Sequence, residues 1–140
     1  DRNLSINNNS FIYSTANIKN TVIFYNKGSK SRINQLIKKG IKLIKLPVNK
    51  TNFFDLKLIL SKIYSLGCRN LLVEGGKNLT NSFLSNNLFN QFYLFKSSTK
   101  FGSSGKLNVT NELHKLNYIY KRSKKLNTYS DKDIIKLYSK

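Results

Sequence analysis

The sequence predicts an α/β fold: a mostly parallel sheet with flanking helices, finished at its C-terminal end by an antiparallel hairpin. Three observations carry that reading. Apolar, β-branched runs alternate with helix-periodic segments as far as Leu88, and short crossovers of this kind build parallel sheets with right-handed connections. Two of the helical segments stop at a glycine, Gly40 and Gly67, the residue that leaves a helix at least steric cost. After Leu88 aromatic and polar residues alternate, the texture of strands with one buried and one wet face.

Taken in order, Asn7-Asn8-Asn9 reads as a loop and Thr21–Asn26 (TVIFYN) as the first strand. Lys27-Gly28-Ser29 is a turn ending in a residue able to cap a helix. Ile33, Leu36 and Ile37 then recur at helical spacing up to Gly40. Ile41–Leu46 is the second strand, stopped by Pro47. Asp55 is placed to cap the next helix, whose Leu56, Ile59, Leu60 and Ile63 lie at i, i+3, i+4 and i+7 before Gly67. Leu71–Glu74 is the third strand, followed by a helix from about Lys77 to Asn86 that carries Leu79, Phe83 and Leu84. Asn90–Ser97 is a further strand and Ser98–Gly105 a Ser/Gly loop. Leu116–Lys121 and Asp133–Leu137 form the closing hairpin. No linker or repeat interrupts the series, so residues 1–140 read as a single domain.

Composition narrows the partners. The chain carries 25 Lys+Arg against 6 Asp+Glu, a formal charge of +19, which by itself points to a polyanion or an anionic membrane surface. The excess is lysine, spread along the whole length and accompanied by Asn and Ile. That is the mark of AT-rich coding more than of a built basic patch, although a phosphate-bearing small substrate profits from the same field. Tyr118 and Tyr120 beside Lys121 and Arg122 resemble a stacking surface for single strands. On an alternating strand such tyrosines are more often half core, so nucleic acid is the lesser reading.

Cys68 is the single cysteine and His114 the single histidine; they make neither a disulfide nor a zinc site. Cys68 is expected as a small buried hydrophobe and His114 as an exposed loop residue. No segment reaches ~18 apolar residues, and no signal-like leader opens the chain at Asp1. No membrane and no metal are expected, and the location expected is the cytoplasm. The aromatic strand after Leu88 is compatible with a homodimer.

The most informative stretch is Leu71-Leu72-Val73-Glu74-Gly75-Gly76-Lys77-Asn78-Leu79-Thr80. It reads as a strand ending in a carboxylate, then two glycines, then the first turn of a helix. There, backbone N–H groups and the helix dipole can meet a phosphate, at the carboxyl end of a strand where open α/β sheets hold ligands. Each residue also has a plainer reading. Glu74 can cap backbone N–H groups, Gly75-Gly76 can serve only a tight turn, and Lys77, Thr80 and Ser82 can face water.

With that unit placed, the chain resembles the reductase domain of bifunctional riboflavin biosynthesis proteins. Asp1-Arg2 is similar to the Asp-Arg/Ser at a strand end near that family's cofactor. Asp55–Gly67 followed by Leu71–Gly76 resembles its helix and V-E-G/A-G strand end. Leu79, Ser82-Phe83-Leu84 and Leu88 resemble its leucine-patterned helix. Tyr93-Leu94-Phe95 through Phe101-Gly102 resembles its next strand and loop, and Asp133-Ile134-Ile135-Lys136-Leu137 its last strand. Asn90-Gln91 departs from the family's Asp-Glu. The resemblance spans essentially the whole chain but only the later part of the family's reductase domain. The early strands with the family's Lys and Asp, and the zinc deaminase domain, have no counterpart.

The resemblance implies a dihydrofolate-reductase-like fold and NADPH-dependent reduction of 5-amino-6-(5-phosphoribosylamino)uracil, a phosphoribosylaminopyrimidine. Hydride would pass from the nicotinamide to C1′ of the ribosylamine in its opened imine form. Glu74 would contact the ribosyl-phosphate substrate. Gly75, Gly76, Lys77, Asn78, Leu79, Thr80, Asn81 and Ser82 would line the NADPH phosphates and ribose, with Arg2 beside the cofactor. A basic nucleic-acid-binding module and a pterin- or folate-type reductase are the competing readings.

Overall fold

The computed structural model describes residues 1–18, 20–99, 102, 110–120, 123–127 and 132–139. The chain divides into two compact units, Asp1–Asn70 and Leu71–Lys140.

The first unit is built on a β-α-β core. Its elements are α1 (Phe11–Ser14), β1 (Val22–Tyr25), α2 (Lys30–Lys38), β2 (Lys42–Lys45) and α3 (Leu56–Ser65). β1 and β2 pair in parallel, with Val22 opposite Lys42 and Tyr25 opposite Lys45. The Ser29 side chain accepts the N–H of Arg32 at 3.1 Å and starts α2. Gly40 ends that turn at φ +87°. It could not be replaced cheaply, because a Cβ there would lie 3.1 Å from the Asn17 backbone. Asp55 caps α3 by accepting the Lys57 N–H at 2.8 Å, as the sequence predicts. Leu4, Ala16, Ile23, Leu36 and Ile41 form the buried core, with Ile6, Tyr13, Tyr25, Ile33 and Leu43 packed on it.

The N-terminal segment is pinned to this core by charge-assisted hydrogen bonds. The Asp1 carboxylate accepts the N–H of Ser5 at 3.0 Å and of Ile6 at 2.7 Å. From the other side Arg32 donates to the Leu4 carbonyl at 3.0 Å, to Asn8 at 2.6 Å and to the Ile6 carbonyl. Leu4 sits between them, fully buried although its φ is +56°, a conformation that costs a leucine about 1–3 kcal/mol.

The second unit holds α4 (Lys77–Ser85), β3 (Gln91–Lys96), α5 (Thr110–Ile119), β4 (Ser123–Leu126) and β5 (Ile134–Ser139). Its sheet has the order β3-β5-β4 and is antiparallel throughout. Leu116, Tyr120 and Tyr138 are the buried core, joined by Leu84, Phe89, Phe92, Leu94 and Leu113. Phe89 lies 5.1 Å from the Tyr120 ring and Phe92 lies 6.4 Å from that of Tyr138. The buried hydroxyl groups are satisfied: Tyr138 donates to Asn117 at 2.8 Å and Tyr120 donates to Asn87.

The α/β class and the order of elements follow the sequence, with three corrections. Parallel pairing is confined to β1 and β2, so the sheet is not mostly parallel among the described residues. Leu71–Glu74 is not a strand there: it pairs with no described segment, and Leu72 is 79% exposed. An apolar run becomes a strand only where a neighbour supplies a ladder. Leu116–Ile119 is the end of a helix rather than a strand. Leu113, Leu116 and Tyr120 are spaced three and four apart and reach one core, and that period wins over the alternation of Leu116, Tyr118 and Tyr120. The hairpin is made instead by β4 and β5. Lys121, Arg122 and Phe101 lie outside the described residues. His114 is exposed but helical, and Cys68 is only half-buried, its thiol donating to the Asn70 carbonyl at 3.0 Å.

Candidate functional site

The corner from Glu74 to Ser82 is contiguous in sequence and lies wholly in the second unit. Gly76 is the N-cap of α4, with φ −75° and ψ −178°, and no side chain caps this helix. Among the described residues the N–H groups of Lys77, Asn78 and Leu79 meet no acceptor. No acidic residue occupies the first turn, and Lys77 stands there half-buried. Dipole, bare donors and ammonium therefore all favour an anion.

The two glycines do different work. A Cβ on Gly75 would come within 2.6 Å of Leu79 Cδ2 and 3.0 Å of Leu79 Cβ, so the exposed Leu79 side chain would have to shift to admit one. A Cβ on Gly76 would meet nothing within 4 Å, and its extended backbone suits any residue. Neither turn geometry nor internal packing requires glycine at 76. The bare approach there is what a cofactor phosphate drawn onto the backbone donors needs, so the residues present fit such a group.

Glu74 is exposed, and its carboxylate has no hydrogen-bond or ion-pair partner among the described residues. It does not act there as a cap for backbone N–H groups. Thr80 is half-buried and donates to the Gly75 carbonyl at 3.4 Å. Ser82 donates to the Asn78 carbonyl at 2.8 Å, so its proton is already committed. Asn78 is exposed and Leu79 is 37% exposed. The Asn81 Oδ1 is buried with no partner among the described residues, an unusual condition for a polar atom.

Arg2 belongs to the first unit. One of its terminal nitrogens donates to the Asn52 carbonyl, and its own carbonyl accepts from Asn26 at 2.9 Å and Lys27 at 3.1 Å. Its Nε is buried without a partner among the described residues. Sequence reasoning missed Arg32, the residue that organises the N-terminal segment. Its partners in the N-terminal segment lie 24 to 28 residues away, a separation that no local pattern reports. Among the described residues no cluster of His, Cys, Asp and Glu could hold a metal ion, and no helix is long and apolar enough to cross a membrane.

A pyrimidine reductase-like protein from Corynebacterium diphtheriae matches with a TM-score of 0.67 at 14% identity, over 99% of this chain and 58% of that one. The fold is thus of the dihydrofolate-reductase-like kind, and the chain spans a little over half the length of that protein. The family model of the RibD C-terminal domain matches residues 1–131, and the chain belongs to this family. No curated protein matches it.

Proposed function

We propose that this chain is the later part of an NADPH-dependent reductase domain. Its substrate is the phosphoribosylaminopyrimidine 5-amino-6-(5-phosphoribosylamino)uracil, whose ribosyl group becomes ribityl. Family membership supports the pathway. The observation that carries the site is the corner itself: uncapped donors, an open Gly76 and a Glu74 carboxylate without a partner among the described residues, all within the six residues from Glu74 to Leu79.

NADPH, when bound, supplies the hydride; the protein supplies binding, orientation and charge. The N–H groups of Lys77, Asn78 and Leu79 receive a phosphate. Lys77 adds a full positive charge, which outweighs the ~0.3–1 kcal/mol of an exposed helix end. The doubly charged 2′-phosphate is therefore preferred to the bare hydroxyl of NADH. Glu74 accepts hydrogen bonds from the sugar hydroxyls and holds the reacting carbon in place. The location proposed is the cytoplasm.

A thermal-shift comparison of NADPH with NADH tests this reading, because a ligand that binds the folded state raises its unfolding temperature by mass action. It is run on this chain and on a version extended N-terminally. NADPH is expected to stabilise more than NADH, and the extension to enlarge the effect. Equal or absent shifts in both proteins reject the proposal.

A further inference from the structure

We infer that Thr80 is a positioning residue for the cofactor corner: its hydroxyl holds the Gly75 carbonyl and thereby sets the direction of the Gly76 N–H. The inference rests on the proposed role of the α4 N-terminus as the seat of a cofactor phosphate. Thr80 grips both glycines. Its Oγ1 donates to the Gly75 carbonyl at 3.4 Å, and its backbone N–H donates to the Gly76 carbonyl at 3.1 Å.

A peptide unit is planar and trans. A carbonyl drawn towards the helix therefore turns the N–H of the same unit, that of Gly76, the opposite way. Leu79 lies beside this unit too, since a Cβ on Gly75 would stand 2.6 Å from its Cδ2 and 3.0 Å from its Cβ. Clamped through Thr80 and Leu79, the unit presents its donor away from the helix, and the Cβ position of Gly76 meets no atom within 4 Å. The hydroxyl contact is longer than the usual ~2.5–3.0 Å.

The test is calorimetric titration of the full 140-residue chain with NADPH, beside thermal unfolding without ligand. Thr80→Val keeps the shape and removes the donor; Thr80→Ser keeps the donor. Thr80→Val is expected to raise Kd about fivefold, as loss of one weak hydrogen bond implies, with the ligand-free melt in place. Thr80→Ser is expected to stay within about twofold of the wild type. Equal affinity in wild type and Thr80→Val overturns the inference and leaves the cofactor seat standing. So does equal weakening in both variants, or a Thr80→Val melt that falls together with affinity. A wild-type chain that binds no NADPH removes the seat itself and the inference with it.

Discussion

At the scale of single residues, the glycine pair separates structure from ligand. Gly75→Ala brings a methyl against Leu79, an exposed side chain able to move aside, and is expected to cost no more than about 1 kcal/mol. Gly76→Ala meets no protein atom. It is expected to leave the unfolding temperature unchanged while weakening NADPH binding about tenfold or more, since a methyl displaces a phosphate from the backbone donors. Calorimetry beside a thermal melt measures both quantities in one preparation. Unaltered affinity would mean that the phosphate does not approach at Gly76.

Glu74 is argued at the same scale. In the complete reductase, Glu74→Ala is expected to lose turnover by about a hundredfold, the range of a mispositioned reacting group, while NADPH binding largely survives. Steady-state kinetics with a parallel cofactor titration tells the two apart. Retained turnover would take Glu74 out of the site.

At the scale of elements, two readings of the same tyrosines compete in the sequence. Leu116, Tyr118 and Tyr120 alternate as a strand does, yet Leu113, Leu116 and Tyr120 also share a helical face. The core decides: Tyr120 is 8% exposed and packs on Phe89, whereas Tyr118 is 86% exposed on α5. Tyr120→Ala is therefore expected to destabilise by about 3–5 kcal/mol and Tyr118→Ala by no more than about 0.5 kcal/mol. Urea denaturation gives both values, and equal costs would restore the strand reading. The helix starts and stops were more legible. Asp55 and Gly67 bracket α3 as local chemistry requires, because capping is settled within one turn. Leu71–Glu74 was not, because its strand character depends on a partner segment and not on its own apolar side chains.

At the scale of the whole molecule, the +19 charge acts on any anionic ligand. NADPH affinity is expected to fall as salt rises, since a field from scattered exposed lysines is screened beyond about 8 Å at physiological ionic strength. Titrations across a salt series check this. A single-stranded oligonucleotide bound with micromolar affinity and a steep salt slope would favour the nucleic-acid reading instead.

Alkaline pH gives a second global handle. Burial raises the Tyr120 phenol above its ordinary value. The unfolded chain releases that proton first, so its contribution to stability is complete below about pH 10 and is lost as pH rises through the folded-state value. Tyr120→Phe is expected to flatten the loss of stability above pH 10 relative to wild type. Matched chemical denaturations at pH 9 and 11 provide the comparison.

By itself the sequence determined what is local or periodic. It set the β-α-β order of the first unit, the caps and glycine stops, the glycine pair opening α4, and a family resemblance that the RibD C-terminal domain match bears out. Tertiary structure alone decided which periodic pattern prevails in α5, where parallel pairing ends, and that Arg32 holds the N-terminal segment. The physical reason is common to all three: each depends on contacts between residues distant in sequence, and neither spacing nor propensity encodes such a partner.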